Sequence, residues 1–401
     1  MNKKPKVISL FSGAGGMDLG FKQAGCEIIW ANDIFKEAIQ TYKNNIGNHI
    51  VDADIRTISN DDIPNNADII IGGFPCQGFS IANKNRSIKD DRNFLYQEML
   101  RIISNKLPKF FVAENVKGIL SLDNGKVFEK IKFDFQNIGY HVDAKILNSA
   151  EYGVPQARER VIIIGNRLKK ENPFPIKTHF ISQSTLSNID NGLQKAITTE
   201  EAIGYLSDVR ISYNPIILNN QIIYNHIAST NVADKFWGRK YKVNQSDICD
   251  YLVYWRNKSG WSTKKVDEHF GYKYTAGHWF RKDNNSGSIP SADDWWELKK
   301  ILGFDDKYDK QITTYIEKDI RFEQSLRVTN WDRPSDTITA TSPEIHINKK
   351  RRLSVRECAI LQTFPNNFVF SGNLHRMYAQ VGNAVPVKLA NQIAKRIVEI
   401  I

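Results

Sequence analysis

Apolar runs of strand length recur through the first 170 residues, at Val7 to Phe11, Glu27 to Asn32, Asp68 to Ile71, Phe110 to Ala113, Tyr140 to Leu147 and Val161 to Ile164. The stretches between them carry apolar positions at helical spacing, so the order reads βαβα. That alternation predicts an α/β fold: a mostly parallel sheet covered by helices on both faces, with ligands beyond the carboxyl ends of the strands. Functional residues are therefore expected in the loops that follow strands.

From about Lys169 the rhythm gives way to a Pro-, Ser- and Asn-rich passage, ENPFPIKTHFISQSTLSNIDNG, of the composition found where one lobe hands over to another. Helix patterns return near the end of the chain, in RLSVRECAILQTF and KLANQIAKRIVEI, and would pack back onto the sheet. The expected organisation is one domain formed by residues 1–170 plus 348–401, with a smaller domain, 171–347, inserted. A chain of 401 residues with 41% hydrophobic composition is long enough for both cores.

The first strand runs at once into Ser12-Gly13-Ala14-Gly15-Gly16, with a helix beginning near Met17 or Asp18. Glycines let the backbone approach a ligand closely, and the amides that open a helix can hold a carboxylate or phosphate. The next strand ends at Asp33, about twenty residues beyond the glycines, where a ribose hydroxyl pair is held in nucleotide-binding folds. A third strand end, Asp52-Ala53-Asp54-Ile55, offers a carboxylate to an adenine amino group and an apolar side chain to the ring face. Together these point to an adenosine-containing ligand. Taken singly, the loop also reads as a tight turn and either aspartate as a helix cap.

Charge and cysteine usage change the picture next. A formal charge of +11 favours a polyanionic partner. The four cysteines, Cys26, Cys76, Cys249 and Cys358, show no paired spacing, so neither a zinc cage nor a disulfide framework is indicated and no metal is expected. Cys26, Cys249 and Cys358 suit the reading of inert buried thiols. Cys76 differs: it lies in Gly72-Gly73-Phe74-Pro75-Cys76-Gln77-Gly78, a loop at a strand end with no apolar periodicity around it.

FSGAGG, GGFPCQGFS, ENVKG, QARER, RPSDTITA, RLSVRECAILQTFP and GNAVPV follow one another between residues 11 and 387. In content, order and spacing they closely resemble the motifs of the bacterial DNA (cytosine-5)-methyltransferases of type II restriction-modification systems. The resemblance covers everything except the stretch from about 171 to 330. It implies an S-adenosylmethionine-dependent, Rossmann-like methyltransferase fold with an inserted target-recognition domain. The implied cofactor pocket is lined by Phe11, Asp33, Ile34, Asp54, Ile55, Pro75 and Leu95 and completed by Asn383 and Val385, with Ser12, Gly13 and Gly16 in the glycine loop. Family members often carry glutamate where this chain has Asp33, a shorter acid that can still bond a ribose.

The resemblance also gives Cys76 a task, addition to carbon 6 of a cytosine flipped out of the duplex. Glu114, at the carboxyl end of the buried run Phe110 to Ala113, would relieve charge at ring nitrogen 3, in a setting where burial raises a carboxyl pKa; it also reads as an ordinary strand-end glutamate. In Gln156-Ala157-Arg158-Glu159-Arg160 the alternate side chains share one face, so Arg158 is expected to reach the base, and Arg158 and Arg160 together to lower the thiol pKa. Pairing of Arg158 with Glu159 or another surface acid is the alternative. The polar stretch after the nucleophile, with Gln77, Ser80 and Arg92, is expected to contact and close over the DNA.

Between residues 231 and 282 eleven Lys or Arg stand against five Asp or Glu, interleaved with aromatic side chains. Within it SGWSTKKVDEHFGYKYTAGHWFRK reads as helix, glycine turn, helix, with Val266, His269 and Phe270 facing inward, and the spacing near 259–282 resembles a helix-turn-helix. Its second helix would offer Thr275, His278, Arg281 and Lys282 to the major groove. Trp255, Trp261, Trp279, Trp295 and Trp296 read as core of a small domain in preference to base-stacking platforms.

The expected partners are double-stranded DNA and a cognate restriction endonuclease acting on the same site, with the chain itself monomeric. No apolar run reaches the roughly 18 residues needed to span a bilayer, so there is no membrane partner and the bacterial cytoplasm, at the nucleoid, is the expected location. An RNA cytosine-C5 methyltransferase and a catalytically silent DNA-binding protein on the same fold are the alternatives.

Overall fold

The computed structural model describes residues 3–75, 95–181, 192–230, 245–271, 292–316, 328–341, 343–348 and 350–401. Its main sheet is built from β1 (Lys6–Leu10), β2 (Glu27–Asp33), β3 (Ile50–Asp52), β4 (Ile69–Gly72), β5 (Phe110–Val116), β6 (His141–Asn148) and β7 (Glu159–Asn166), in the order β3-β2-β1-β4-β5-β7-β6. Neighbours from β3 to β5 are parallel, and β7 runs antiparallel between β5 and β6. That exception has a local cause: the link from β6 to β7, Ser149 to Arg158, is shorter than the dozen or more residues a parallel crossover needs.

Strand alternation builds a core on each face of the sheet. On one face Ile8, Leu10, Ile70, Phe111 and Ala113 pack with Met99, Ile102 and Ile103 of α3 (Leu95–Lys106) and with Ile131 and Phe135 of α4 (Lys126–Asn137). On the other, Val7, Ile69, Ile71, Phe110 and Val112 pack with Phe21 of α1 (Gly16–Gln23) and with Leu389, Ile393 and Ile397 of the C-terminal helix Val387–Val398. The end of the chain thus returns to the sheet, as its amphipathic pattern predicts. The contact is close: a Cβ on Gly20 would lie 2.5 Å from the Ala390 methyl.

Successive strands run outward from β1 in one direction, through β2 to β3, and from β4 in the other, to β5. The order reverses between β1 and β4, so the crevice beyond their carboxyl ends is where this architecture binds ligands.

The chain divides into two compact units. The first is Met1–Ala228 with Thr329–Pro343 and Leu353–Ile401; the second is Ser229–Val328 with Glu344–Arg352. Within the second, the helices Gln245–Lys258, Thr263–Phe270, Ala292–Leu302 and Asp309–Ile316 enclose Ile248, Leu252, Val266, Trp295, Leu298 and Ile312. Trp295 is core, while Trp296 is 46% exposed.

The helix Thr263–Phe270 is capped by Ser262, whose hydroxyl accepts from the Lys265 amide, and ends at Gly271 with φ of 70°. A glycine therefore stands where the sequence places the turn. His269, expected inward, is exposed and lies 3.0 Å from Glu297 Oε1. Thr275, His278, Trp279, Arg281 and Lys282 lie outside the described residues. Among the described residues no helix is long and apolar enough to cross a membrane.

Candidate active site

Beyond the carboxyl ends of the strands the first unit holds a cavity of about 680 Å³, a volume typical of small-molecule sites. It opens where Phe11 leaves β1. Sequence pattern counts Phe11 as the last strand residue, but its φ of 54° turns the chain into the glycine loop, a left-handed conformation that costs a side-chain-bearing residue about 1 kcal/mol or more. Gly15, with φ of 86°, caps α1. Gly16 meets the C-terminal segment so closely that a Cβ would sit 2.5 Å from the Val385 carbonyl oxygen.

Asp33 ends β2 facing this loop. Its Oδ2 accepts the Gly13 amide at 2.7 Å and its Oδ1 the amides of Ile34 and Phe35 at 2.8 Å each. Burial pushes the carboxyl pKa up, against the three amides that pull it down. A carboxylate has about four acceptor sites, so roughly one remains for a ligand hydroxyl. Asp33 thus braces the chain ahead of the helix Lys36–Asn45 without capping it, and its bonds leave room for a ligand.

Asp54 caps the turn Ile55–Thr57 through the Arg56 amide at 3.0 Å and also pairs with the Arg56 guanidinium, which holds its carboxyl below the usual carboxylate range. Ile34, 65% exposed, borders the cavity.

The opposite wall comes from β4, β5 and β7. Gly72 lies beside Ala113 in the parallel register, so the chain leaving β4 passes Glu114 as it leaves β5. The approach is tight, since a Cβ on Gly73 would stand 3.3 Å from Glu114 Oε2. Asn115 donates to the Phe74 carbonyl at 3.0 Å, fixing the residues that lead to Pro75. Cys76, Gln77, Ser80 and Arg92 lie outside the described residues. The strand end that carries them does not.

Glu114 is met by Arg160, with Nε 3.0 Å from Oε1 and the two side chains 11% and 13% exposed. Arg158 is placed differently from the expectation. Its side chain is fully buried, and its terminal nitrogens donate to the carbonyls of Ile338 at 3.1 Å and Gly382 at 2.9 Å. Burial, with the Arg160 charge added, pushes its pKa down to about 9, which leaves it cationic at neutral pH. Pairing of Arg158 with Glu159 is also not found; Glu159 bonds Lys117 instead.

Gln156 grips the same Ile338 peptide, accepting its N–H at 3.1 Å, and Thr337 donates to the Ala157 carbonyl at 3.0 Å. QARER and RPSDTITA are therefore two sides of one strut.

One cavity gathers Phe11, Ser12, Gly13, Gly16, Asp33, Ile34, Asp54, Ile55, Pro75, Leu95, Asn383 and Val385 with Glu114, Arg158 and Arg160. The lining also includes Asp18 and Gln380, which the sequence reading passed over. Each lies two residues from a motif named above, Asp18 after FSGAGG and Gln380 before GNAVPV. The signal was a polar side chain on an otherwise apolar helix face.

Among the described residues, three buried polar atoms of the lining have no hydrogen-bond partner: Asp18 Oδ2, Gln380 Oε1 and Arg158 Nε. Unpaired buried polar atoms are rare in folded proteins. With the open site on Asp33 and the apolar surfaces of Phe11, Ile34 and Ile55, the donor and acceptor set fits an adenosyl ligand that carries an amino acid. The remaining cysteines fit the inert reading, because burial pushes Cys26 to about 11 and Cys249 to about 12, and Cys358 is fully buried.

The family model for C-5 cytosine-specific DNA methylases matches residues 5–399. The chain is similar to the Type II methyltransferase M.NgoFVII of Neisseria gonorrhoeae, 34% identical over 406 residues that cover 100% of this chain and 88% of the relative. It is 33% identical to M.BspRI of Lysinibacillus sphaericus over 438 residues, covering 99% of this chain and 82% of that one. Among solved structures it shares its fold with a DNA modification methyltransferase encoded within an E. coli prophage, at a TM-score of 0.59 and 22% identity over 99% of both chains.

Proposed function

The chain belongs to the C-5 cytosine-specific DNA methylases and methylates carbon 5 of cytosine in DNA; from that premise we propose that Cys76 is its covalent nucleophile, acting beside a Glu114–Arg160 pair. The Type II DNA methyltransferase relatives favour the DNA enzyme over the RNA enzyme and the silent scaffold. Carbon 5 of cytosine is a poor nucleophile. A thiolate that bonds to carbon 6 pushes the ring electrons toward carbon 5 and nitrogen 3 and leaves an enamine-like ring. Glu114, in its protonated form, donates a hydrogen bond to nitrogen 3, where that charge gathers; once carbon 5 has taken the methyl group, loss of the carbon-5 proton to solvent expels the Cys76 thiolate from carbon 6 and restores the ring.

The observation that carries this reading is the placement of the two Glu114 oxygens. Arg160 takes Oε1, and Oε2 faces Gly73, three residues before Cys76. Arg160, in this reading, is the arginine beside the base. Arg158 supports it from behind, through its bonds to the Ile338 and Gly382 carbonyls.

S-adenosylmethionine, which the family uses, supplies the methyl group. For this chain we assign its ribose to Asp33, its adenine to Asp54, Ile34 and Ile55, and the closing contacts to Asn383 and Val385. The target base must leave the duplex to reach Cys76, at a cost of a few kcal/mol. Gln77, Ser80 and Arg92 are assigned to DNA in the same reading.

The second compact unit, Ser229–Val328 with Glu344–Arg352, is the proposed target-recognition element in place of 171–347, with Thr275, His278, Arg281 and Lys282 as its base-reading side chains. A restriction endonuclease reading the same site, a monomeric state and the bacterial cytoplasm complete the proposal.

The test starts from bisulfite sequencing of DNA from cells expressing the chain, which identifies the target cytosine. A duplex with 5-fluorocytosine at that position is expected to trap a covalent protein–DNA adduct. Cys76→Ser is expected neither to trap nor to methylate. Methyl transfer by Cys76→Ser at the original rate would sink the assignment.

A further inference from the structure

Asp18 stands in the first turn of α1, directly after the glycine loop, with no exposed surface. Its Oδ1 accepts the Tyr42 hydroxyl at 2.8 Å, from α2 (Lys36–Asn45), and the same hydroxyl lies 3.1 Å from Nε2 of His49. Oδ2 has no partner in good hydrogen-bonding geometry among the described residues, although the Ser9 hydroxyl and the residue's own amide lie close enough to lower the carboxyl's pKa. The residue lines the cavity assigned above to S-adenosylmethionine. A buried acid with one oxygen unpartnered is costly to the fold. The bond from Tyr42 accounts for one oxygen of the carboxyl and leaves the other without a structural explanation.

S-adenosylmethionine carries a sulfonium charge that its product, S-adenosylhomocysteine, lacks; the two otherwise share adenosine and the amino-acid group. We propose, resting on the cofactor reading above, that Asp18 is a positioning residue whose buried negative charge makes this pocket favour the sulfonium donor over its neutral product. A charge in a poorly solvated wall acts over several ångströms, so the effect needs no direct contact. Its consequence is functional: the product leaves more readily than the donor.

The carboxyl must be ionised to act. Burial raises its pKa to about 6, with the Asp33 charge on β2 adding to the rise and the Tyr42 and Ser9 hydroxyls opposing it. The surrounding groups are Tyr42 on α2, His49 before β3, which burial and the Lys22 charge keep below its ordinary pKa, and Asp33. The helix Val387–Val398 brings Ala390 and the Asn391 backbone against Gly20 of α1. Asp18 is therefore ionised above about pH 6 and loses its charge below.

The test is calorimetric titration of the full chain with S-adenosylmethionine and S-adenosylhomocysteine separately, from pH 5 to 8. For the wild type the ratio of the two affinities is expected to fall below about pH 6. Asp18→Asn, which keeps an acceptor for Tyr42, is expected to weaken donor binding roughly tenfold, leave product binding within about twofold, and flatten the pH dependence of the ratio. Tyr42→Phe removes a bond that lowers the Asp18 pKa, so the fall of the ratio is expected to begin at higher pH, an effect that a purely structural role would not produce.

Equal losses for both ligands in Asp18→Asn, or a ratio unchanged in both variants, would overturn the inference and leave the cofactor reading intact. Wild-type protein that binds neither ligand would remove the cofactor reading itself.

Discussion

The two walls of the cavity differ in charge and in how their charges are held. On the side built by β1, β2 and β3 stand three carboxyls, Asp18, Asp33 and Asp54, satisfied mostly by nearby groups: Asp33 takes three backbone amides and Asp54 its neighbour Arg56. On the side built by β5 and β7 stand two guanidiniums and one carboxyl. There Arg158 reaches carbonyls 180 and 224 residues along the chain, and Arg160 reaches Glu114 on the neighbouring strand.

The first wall suits a cationic donor and ribose hydroxyls. The second suits a thiolate and a ring gaining electrons. A methyl group passes from electron-poor sulfur to electron-rich carbon, so a site that performs the transfer has to hold opposite fields a few ångströms apart.

The sharpest way to break this comparison is Arg160→Ala. It removes the partner of Glu114 from a wall that reacts, and kcat is expected to fall by about 10²–10³ with cofactor KM little changed. Arg160→Lys should recover only part, since a point charge cannot reproduce the planar fork. Steady-state kinetics on a target duplex reads both, and a kcat within threefold of wild type in Arg160→Ala would end the assignment.

Arg158→Met asks the complementary question. It leaves the Ile338 and Gly382 carbonyls without donors in the interior, for a stability loss of about 2–4 kcal/mol, read as a lower unfolding midpoint in denaturant. Variant that remains folded at low temperature should keep most of its kcat. If Arg158→Met is as stable as wild type and loses kcat as Arg160→Ala does, the roles of the two arginines are reversed.

The same difference between the walls explains what the sequence made legible. Asp33, Asp54 and the glycine loop follow strands, and their partners lie within a few residues or at a neighbouring strand end, so local pattern was enough to propose them. The division of labour between Arg158 and Arg160 was not readable in the same way. Alternation puts both on one face, and only the packing of RPSDTITA against QARER decides which one is consumed by backbone carbonyls. Asp18 stayed unnoticed because an acid in the first turn of a helix looks ordinary until its burial is known. The antiparallel β7 escaped because βαβα rhythm says nothing of a link too short to cross over. Of the expected helix-turn-helix, the described residues include the helix Thr263–Phe270 and Gly271, with φ of 70°.

The smallest expected effect sits at Asp54 and sharpens the acidic wall. Its carboxyl is held below the usual carboxylate range first by the Arg56 side chain. A carboxyl with a depressed pKa stabilises the fold above its unfolded pKa and loses that contribution as pH falls through the folded value, so any contribution here disappears only in acid. The pair is largely exposed and screened, which limits it to roughly 0–1 kcal/mol. Arg56→Ala should therefore leave the unfolding midpoint at pH 7 nearly unchanged.

Its effect on the cofactor is the informative part. Arg56 competes for the oxygens that we assign to the adenine amino group, so its removal should tighten S-adenosylmethionine binding, by no more than about threefold. An analogue with the amino group replaced by a carbonyl oxygen should gain nothing from the substitution. Weaker binding of the parent cofactor in Arg56→Ala would mean that the arginine orients Asp54 for its ligand, and equal gains for both ligands would mean that Asp54 is only a cap.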